Sequence, residues 1–431
     1  MKKITALLMS LFLIGGCFAG CTETPTSSNS SPNSSSQTSA EEDSSSSTRP
    51  VVPPDEMIQI RTEEELFAIK NDLGGAYRLM SDITLTKPWK TLGTDEAPFT
   101  GVFEGNDYTI RNMTVESDVI YADGSSIEYM VGMFGVLRGD VQNLTVDKLT
   151  ISIDENTITA SGYNALKAAN PNATDFDIHV GLVASNKGNI EDVGVKIQYN
   201  VIPQMSGARI RIGGIAGKSN DKIADCSVSG LMTVKNVDGY IRAGGVAGYV
   251  SSNGKVKRSG ASMDISTEIT QGAKMNVGGV IGNIECGIVE DCFAEGSIFA
   301  RSTDKKMTAA GGLIGLIDNC DTKYEDMSVT VTNSYSTMNV TAKGGKAYAA
   351  GFIGQIDFGA VTVVENNACS GVATGDKQSF GFVGRITRSI GIQLTADDLV
   401  DGKFGTLLTV KNNQSVTADP FATKVDSIPE R

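Results

Sequence analysis

Across residues 100 to 390 the chain is written in short runs where apolar and polar residues alternate, rich in Val, Ile and Thr and bounded by Gly, Asn and Asp. Val141-Gln142-Asn143-Leu144-Thr145-Val146 is one such run, Ile223-Ala224-Asp225-Cys226-Ser227-Val228-Ser229-Gly230 a second, and Val289-Glu290-Asp291-Cys292-Phe293-Ala294-Glu295-Gly296 a third. Thr332-Asn333-Ser334-Tyr335-Ser336 is a shorter copy. Period-two alternation between turn residues predicts short strands, each with an Asp or Asn near its start. No stretch in this span carries an apolar stripe at helical spacing, so helices are not expected there.

Between these runs a glycine signature recurs. It reads Gly213-Gly214-Ile215-Ala216-Gly217, Gly244-Gly245-Val246-Ala247-Gly248, Gly278-Gly279-Val280-Ile281-Gly282 and Gly311-Gly312-Leu313-Ile314-Gly315, with looser copies at 132, 181, 351 and 381. The successive intervals are 49, 33, 31, 34, 33, 39 and 30 residues. A period near 33 made of strands and turns is too short for a propeller blade and fits one coil of a solenoid, in which each unit buries its apolar face only on its neighbours. The expected fold is therefore all-β, a right-handed parallel β-helix. Glycine repeated at one place in every coil marks a corner where the chain turns without a side chain in the way. Ile215, Val246, Val280, Leu313 and Phe352 would then stack as an apolar ladder. A phosphate-cradling loop would need a following helix and a Lys-Ser/Thr pair, and neither occurs.

The repeats resemble the bacterial GLUG repeat: a glycine-apolar-x-glycine run, a polar turn, then an Asp/Asn-Cys strand. The stretch ahead of them is similar to the leader found before such repeats in secreted surface proteins. It runs from Ile60-Arg61-Thr62-Glu63-Glu64-Glu65-Leu66 through Trp89 to Phe99-Thr100-Gly101-Val102-Phe103-Glu104-Gly105-Asn106. The resemblance covers roughly residues 58 to 390 and implies a cell-surface β-helix protein; such repeats also decorate adhesins and proteases. Thr62 to Lys70 reads as a short capped helix, with Thr62 as N-cap and Glu65 as its capping-box partner. A helix there would cover the open N-terminal edge of the β-helix, which otherwise invites pairing with another chain. Residues 391 to 431 would form a C-terminal cap and tail, with a helix start at Thr395-Ala396-Asp397-Asp398-Leu399.

Residues 1 to 21 read as a lipoprotein signal peptide: Lys2-Lys3, an apolar run from Ile4 to Ile14, then small residues. Cys21 is the favoured lipidation site because the Ser/Thr-rich segment begins directly after it. Cys17 is the alternative, with the better aliphatic residue, Ile14, three positions upstream. Residues 22 to 55 hold almost no bulky apolar side chain, so they read as a disordered Ser/Thr-rich linker. Residues 56 to 115 form the N-terminal cap and first coils, and 116 to 390 the repeats. The formal charge of −13 becomes −15 once Lys2 and Lys3 leave. That acidic balance argues against a nucleic-acid partner.

Little chemistry stands out. His179 is the sole histidine, which rules out a His-Glu-x-x-His zinc site; beside Val180-Gly181-Leu182 it reads as a satisfied strand or loop histidine. No metal site and no cofactor are expected. Cys226, Cys286, Cys292, Cys320 and Cys369 show no CxxC pairing, and most read as buried thiols acting as small apolar residues. Cys286 and Cys320 sit in the same turn of neighbouring coils, where one coil spacing suits a disulfide. The acids are spread one or two per coil rather than clustered for carbohydrate cleavage. The 49-residue interval carries about 16 extra residues around Asp154 to Asp177. This loop reads as lying outside the coils, with Tyr163, Asn164, Asn170 and Asn172 as possible ligand contacts. A second insertion spans Asp318 to Asp326. Together these features predict a lipid-anchored protein on the extracellular face of a bacterial membrane, binding a protein or glycan without catalysis. The alternative is a carbohydrate-active β-helix enzyme, a polysaccharide lyase or glycoside hydrolase.

Overall fold

The computed structural model describes residues 52–252, 254–271, 274–303, 306–319, 328–359, 361–388, 392–393 and 408–428. The signal peptide, Cys17, Cys21 and nearly all of the Ser/Thr-rich linker lie outside the described residues. So do Cys320, most of the Asp318–Asp326 insertion and the helix start expected at Thr395. The described chain belongs to one compact unit, Val52–Arg431.

One coil shows how the rest is built. Ala208–Gly213 is a strand, Gly214 and Ile215 bend, and Ala216–Ser219 is a second strand. After a turn come Lys222–Ala224 and Ser227–Asn236, two strands interrupted at Asp225. The next coil repeats the order with Tyr240–Gly244, Ala247–Val250, Gly254–Lys257 and Gly260–Ile269. Each strand pairs in parallel with its equivalent, giving a parallel β-helix of three sheets with nine, nine and 23 strands. The register holds the signature in line: Gly213, Gly244, Gly278 and Gly311 are successive partners in the first sheet. Ala216, Ala247, Ile281 and Ile314 are partners in the second. Antiparallel pairing occurs where Ile120–Asp123 folds back on Ser126–Val131 and where Ile386–Arg388 meets Ile392–Gln393.

The interior follows the alternation. Ile215, Val246, Val280, Leu313 and Phe352 are all fully buried, one above another just after each bend. Phe352 stacks on Phe382 with ring centroids 4.7 Å apart. Burying each such side chain is worth about 1.5–3 kcal/mol relative to exposure. The second glycine of each signature is needed for space, not for an unusual backbone angle. A Cβ on Gly245 would collide with the Gly279 carbonyl oxygen and the Ala261 methyl, and would lie 3.2 Å from Met263 Sδ.

Left-handed backbone appears at the other corner. Asp192, Asp225, Arg258, Asp291, Asn333, Asn366 and Asn412 all have positive φ between 46° and 58°. Asn and Asp tolerate that region best among residues with a side chain, which is why they mark this corner in the sequence. The residue directly after each turns inward, and from Cys226 onward these residues form a polar stack. The Cys226 amide donates to Ser259 Oγ (3.0 Å) and the Cys292 amide to Ser334 Oγ (3.0 Å). The Ser334 amide donates to Asn367 Oδ1 (2.9 Å) and the Asn367 amide to Asn413 Oδ1 (3.0 Å). The thiols donate in turn, Cys226 Sγ to the Ala224 carbonyl at 3.1 Å and Cys292 Sγ to the Val256 and Glu290 carbonyls at 3.3 Å each. Both thiols are buried in the apolar core cluster, as expected, and also hydrogen-bond to backbone carbonyls. Burial pushes both up to about 12. Cys286 is buried as well.

At the N-terminal side, Glu63–Phe67 is an α-helix with the expected capping box: Glu65 N–H donates to Thr62 Oγ1 and Thr62 N–H to the Glu65 carboxylate, both at 3.2 Å. Leu66 and Ile69 from this segment are fully buried. Ile58–Ile60, Ala76–Leu79 and Val102–Glu104 continue the third sheet toward Asp140–Ile153. In the tail, Leu408–Lys411 and Gln414–Ser415 add further parallel strands to that sheet.

The 49-residue interval departs from expectation. It contains two short helices, Glu155–Ala160 and Tyr163–Ala169. Asp154 caps the first through Thr157, whose amide donates to the Asp154 carboxylate at 2.8 Å. Ile158 beneath it is fully buried and Ala173 is 2% exposed, so this insertion is stitched into the core rather than left outside the coils.

Two glycines test the spacing argument. Gly245→Val should destabilise by about 1–3 kcal/mol or more through overpacking. Gly194, whose Cβ would meet nothing closer than Ser227 Oγ at 3.5 Å, should accept alanine within about 0.5 kcal/mol. Thermal melts that show equal losses for the two variants would remove the distinction.

Candidate functional site

The first and second sheets meet at the glycine bend, and on the side away from the apolar core their side chains face one another across a cleft. In Asp175-Phe176-Asp177-Ile178-His179-Val180 the pleat sends Phe176, Ile178 and Val180 to the core and the alternate residues to the other face. The parallel register then stacks His179, Arg211, Arg242 and Asn276 along the first sheet. Ser185, Lys218, Tyr249 and Asn283 stack along the second. The walls touch: Asn276 Nδ2 donates to Asn283 Oδ1 at 2.9 Å. The guanidinium groups of Arg242 and Arg211 lie 4.5 and 5.4 Å from the Tyr249 ring centre. The last glycine of each signature lets the walls close, since a Cβ on Gly282 would come within 2.6 Å of the Ala243 amide.

At one end of the cleft lies an ion cluster. Asp177, 2% exposed, accepts from Arg209 Nε and NH2 at 2.6 Å each and from Ser126 Oγ at 3.0 Å. Arg211 NH1 lies 3.1 Å from Asp177 Oδ1 and 3.3 Å from His179 Nε2. Burial alone would raise the Asp177 carboxyl, but the hydrogen bonds of Arg209 and the charge of Arg211 hold it well below the usual carboxylate range. Glu128, 3.6 Å from His179 Nε2, is raised by burial and by Asp177. His179 is lowered, first by burial and then by Arg211, so the imidazole is neutral. Because a guanidinium only donates, Nε2 is the accepting nitrogen and Nδ1 carries the proton. Nδ1 is buried with no hydrogen-bond partner. This corrects the expectation of a satisfied strand histidine.

Glu128, Asp177 and His179 bring their ligand atoms within 4.8 Å of one another, the spacing of a metal site. The donor set does not fit an ion. Arg211 bridges Asp177 and His179 with its own positive charge, and Arg209 occupies both oxygens of Asp177.

Beyond this cluster the cleft opens into a cavity of about 270 Å³ lined by Arg211, Arg242, Lys274, Asn276, Asn283 and one carboxylate, Asp318, among others. Lys218, half-buried on the second wall, is lowered by burial and by Arg211. Burial and Arg211 likewise lower Arg242. Buried polar atoms without partners gather here: Arg211 Nε, Arg242 Nε, Asn276 Oδ1 and Asn283 Nδ2.

The residues expected to touch ligand sit elsewhere. Tyr163 packs its ring on Phe176, centroids 4.6 Å apart, and is half-buried. Asn170 closes its helix through Nδ2 to the Leu166 carbonyl at 3.0 Å. Asn164 and Asn172 are exposed. Arg211, Arg242, Lys218 and Tyr249 were not singled out from the sequence. The signal was present: His179, Arg211, Arg242 and Asn276 each stand two residues before the first glycine of a signature. No protein-family model matches the chain, and no curated protein matches it.

His179 predicts a pH dependence. Its folded pKa lies below the unfolded value of about 6.5, so the unfolded state binds the proton first and stability falls as pH drops below that value. The slope reaches at most about 1.4 kcal/mol per pH unit. Glu128, raised in the folded state, acts with the opposite sign. Chemical denaturation of wild type and His179→Gln between pH 7.5 and 5 should show the loss in wild type and a flatter profile in the variant. Parallel profiles would show that His179 does not titrate against folding.

Proposed function

We propose that this protein is a surface lipoprotein of the GLUG-repeat kind, anchored in a bacterial membrane through Cys21, with Cys17 as the alternative, and that its β-helix binds an extracellular protein or glycan without catalysis. The observation that carries the binding half is the cleft. A solenoid pairs its backbone completely from coil to coil, yet here buried side-chain donors and acceptors stand without partners around a cavity. Buried polar groups left open in this way are costly unless a ligand or water meets them. The non-catalytic half rests on the carboxylates at the cleft's end. Asp177 is held by two arginines and a serine rather than poised as half of an acid–base pair. The apolar run from Ile4 to Ile14 ahead of two cysteines, followed by the Ser/Thr-rich linker, supports export and anchoring.

The same reading takes the coils as right-handed, the hand that parallel strand crossovers adopt. It takes the helix Glu63–Phe67 as a cover over the N-terminal edge, with Leu66 and Ile69 buried in the core cluster that also contains Ile60 and Leu79.

Labelled palmitate should enter the wild-type chain and be lost from Cys21→Ala; loss from Cys17→Ala instead would move the anchor to Cys17. Labelling of neither wild type nor variants would overturn the lipoprotein reading. Protease added to intact cells should remove the β-helix from the anchored chain, and full protection would place it on the wrong side of the membrane.

A further inference from the structure

We propose that the cleft is a binding site for an acidic polysaccharide, with carboxylate or sulfate groups seated on Arg242, Arg211 and Lys274. This deepens the binding role above and rests on it.

The charge pattern is the starting point. On the third sheet, most charged side chains of neighbouring coils meet the opposite sign, Lys222 against Lys255 being an exception in the register. Lys222 meets Glu191 at 2.8 Å, Arg258 meets Asp225 at 2.6 Å, and Lys257 meets Glu290 at 3.1 Å. In the cleft the rule is reversed. Arg211 and Arg242 are direct partners in the register of adjacent coils, about 4.8 Å apart along the sheet, and both crowd the same Tyr249 ring. Arg211 has Asp177 as counter-ion. Arg242 lies within electrostatic reach of Glu285 and Asp318 but forms no ion pair among the described residues. A desolvated cation beside a like charge is unfavourable. In a chain of net charge −13 such a concentration of positive charge is not the average surface.

The neutral groups narrow the ligand. Asn276 and Asn283 bond one another through Nδ2 and Oδ1, which leaves Asn276 Oδ1 as an open acceptor and Asn283 Nδ2 as an open donor. A sugar hydroxyl both donates and accepts, so it meets this pair. Tyr240, 37% exposed at the cavity's edge, offers a ring face to a pyranose. The cations span the coils of Arg211, Arg242 and Lys274, enough for a few anionic groups on a linear chain. A nucleic acid would call for a longer basic stripe.

The test uses the full chain with three probes: polygalacturonate, which bears carboxylates, dextran sulfate, which bears sulfates, and neutral dextran. Binding is read by affinity electrophoresis and titration calorimetry, and stability by thermal melts. At least one acidic polymer should bind, weaken with added salt, and exceed dextran. Arg242→Met should weaken that binding at least about tenfold, as loss of one charge-assisted hydrogen bond does, while its melting temperature stays level or rises. Lys274→Ala, at an exposed position, should weaken binding without touching the core. The polymer that binds more tightly identifies the anionic group. Equal binding of dextran and the acidic polymers, no binding of either acidic polymer, or undiminished binding by both variants would overturn the proposal. So would a lower melting temperature for Arg242→Met, which would make Arg242 a structural residue. Capture of a neutral glycan or a protein by a chain that ignores both acidic polymers would end this inference and leave the wider binding role standing. Release of new reducing or unsaturated ends from any probe would instead overturn the non-catalytic role.

Discussion

Backbone hydrogen bonds between coils hold equivalent residues about 4.8 Å apart, and this spacing decides which side chains the β-helix tolerates at each place. A residue is covered by its counterpart from the next coil, so whatever it brings is repeated against itself. Apolar residues gain from that, as in the column from Ile215 to Phe352. Charges do not, and on the third sheet some columns answer by alternating sign, with Glu268 held between Lys235 at 3.6 Å and Arg301 at 3.3 Å. Exposed pairs of this kind are worth at most about 1 kcal/mol each. Their main effect is to avoid the repulsion that a column of one sign would bring.

The two polar columns obey opposite rules. At the left-handed corner, Ser259, Ser334, Asn367 and Asn413 meet the backbone amide of the coil before them. Inside a low-dielectric interior such a satisfied chain of hydrogen bonds fixes the alignment of coils. In the cleft the column is left incomplete, with Arg242 Nε and His179 Nδ1 buried and unmet. Function is commonly where a fold accepts such a loss.

Much of this was legible in the sequence, because a repeated unit writes its constraints repeatedly. The glycine spacing gave the coil, the Asp and Asn residues marked the left-handed corner, and Thr62 with Glu65 announced the first helix. The helices at Glu155–Ala160 and Tyr163–Ala169 were missed because they are short and bury little beyond Ile158. Their signal was the cap at Asp154 rather than an apolar stripe. Tyr163 read as a loop residue because its partner, Phe176, belongs to the strand that follows. The cleft was hidden for a different reason. In an alternating strand the residues opposite the core read as solvent-facing, and Arg211 and Arg242 conform to that. Only the folding of the first sheet against the second, over glycines with no Cβ, turns that outer face inward.

The hydrogen-bonded corner column has a direction. Each amide is met by a side chain that comes later in the chain: Cys226 by Ser259, Cys292 by Ser334, Asn367 by Asn413. Within this column a chain emerging from its N-terminus can therefore end in a coil with one donor still open, and only the following coil closes it. A cut from the C-terminal side between Cys226 and Asn413 can reopen such a donor, as loss of Asn413 does for the Asn367 amide. Cutting from the N-terminal side merely idles an acceptor, and Ser259 Oγ already has a resting bond to the Lys257 carbonyl at 2.8 Å. Asn413 is the last side chain of the column, and until the tail delivers it the Asn367 amide stands open.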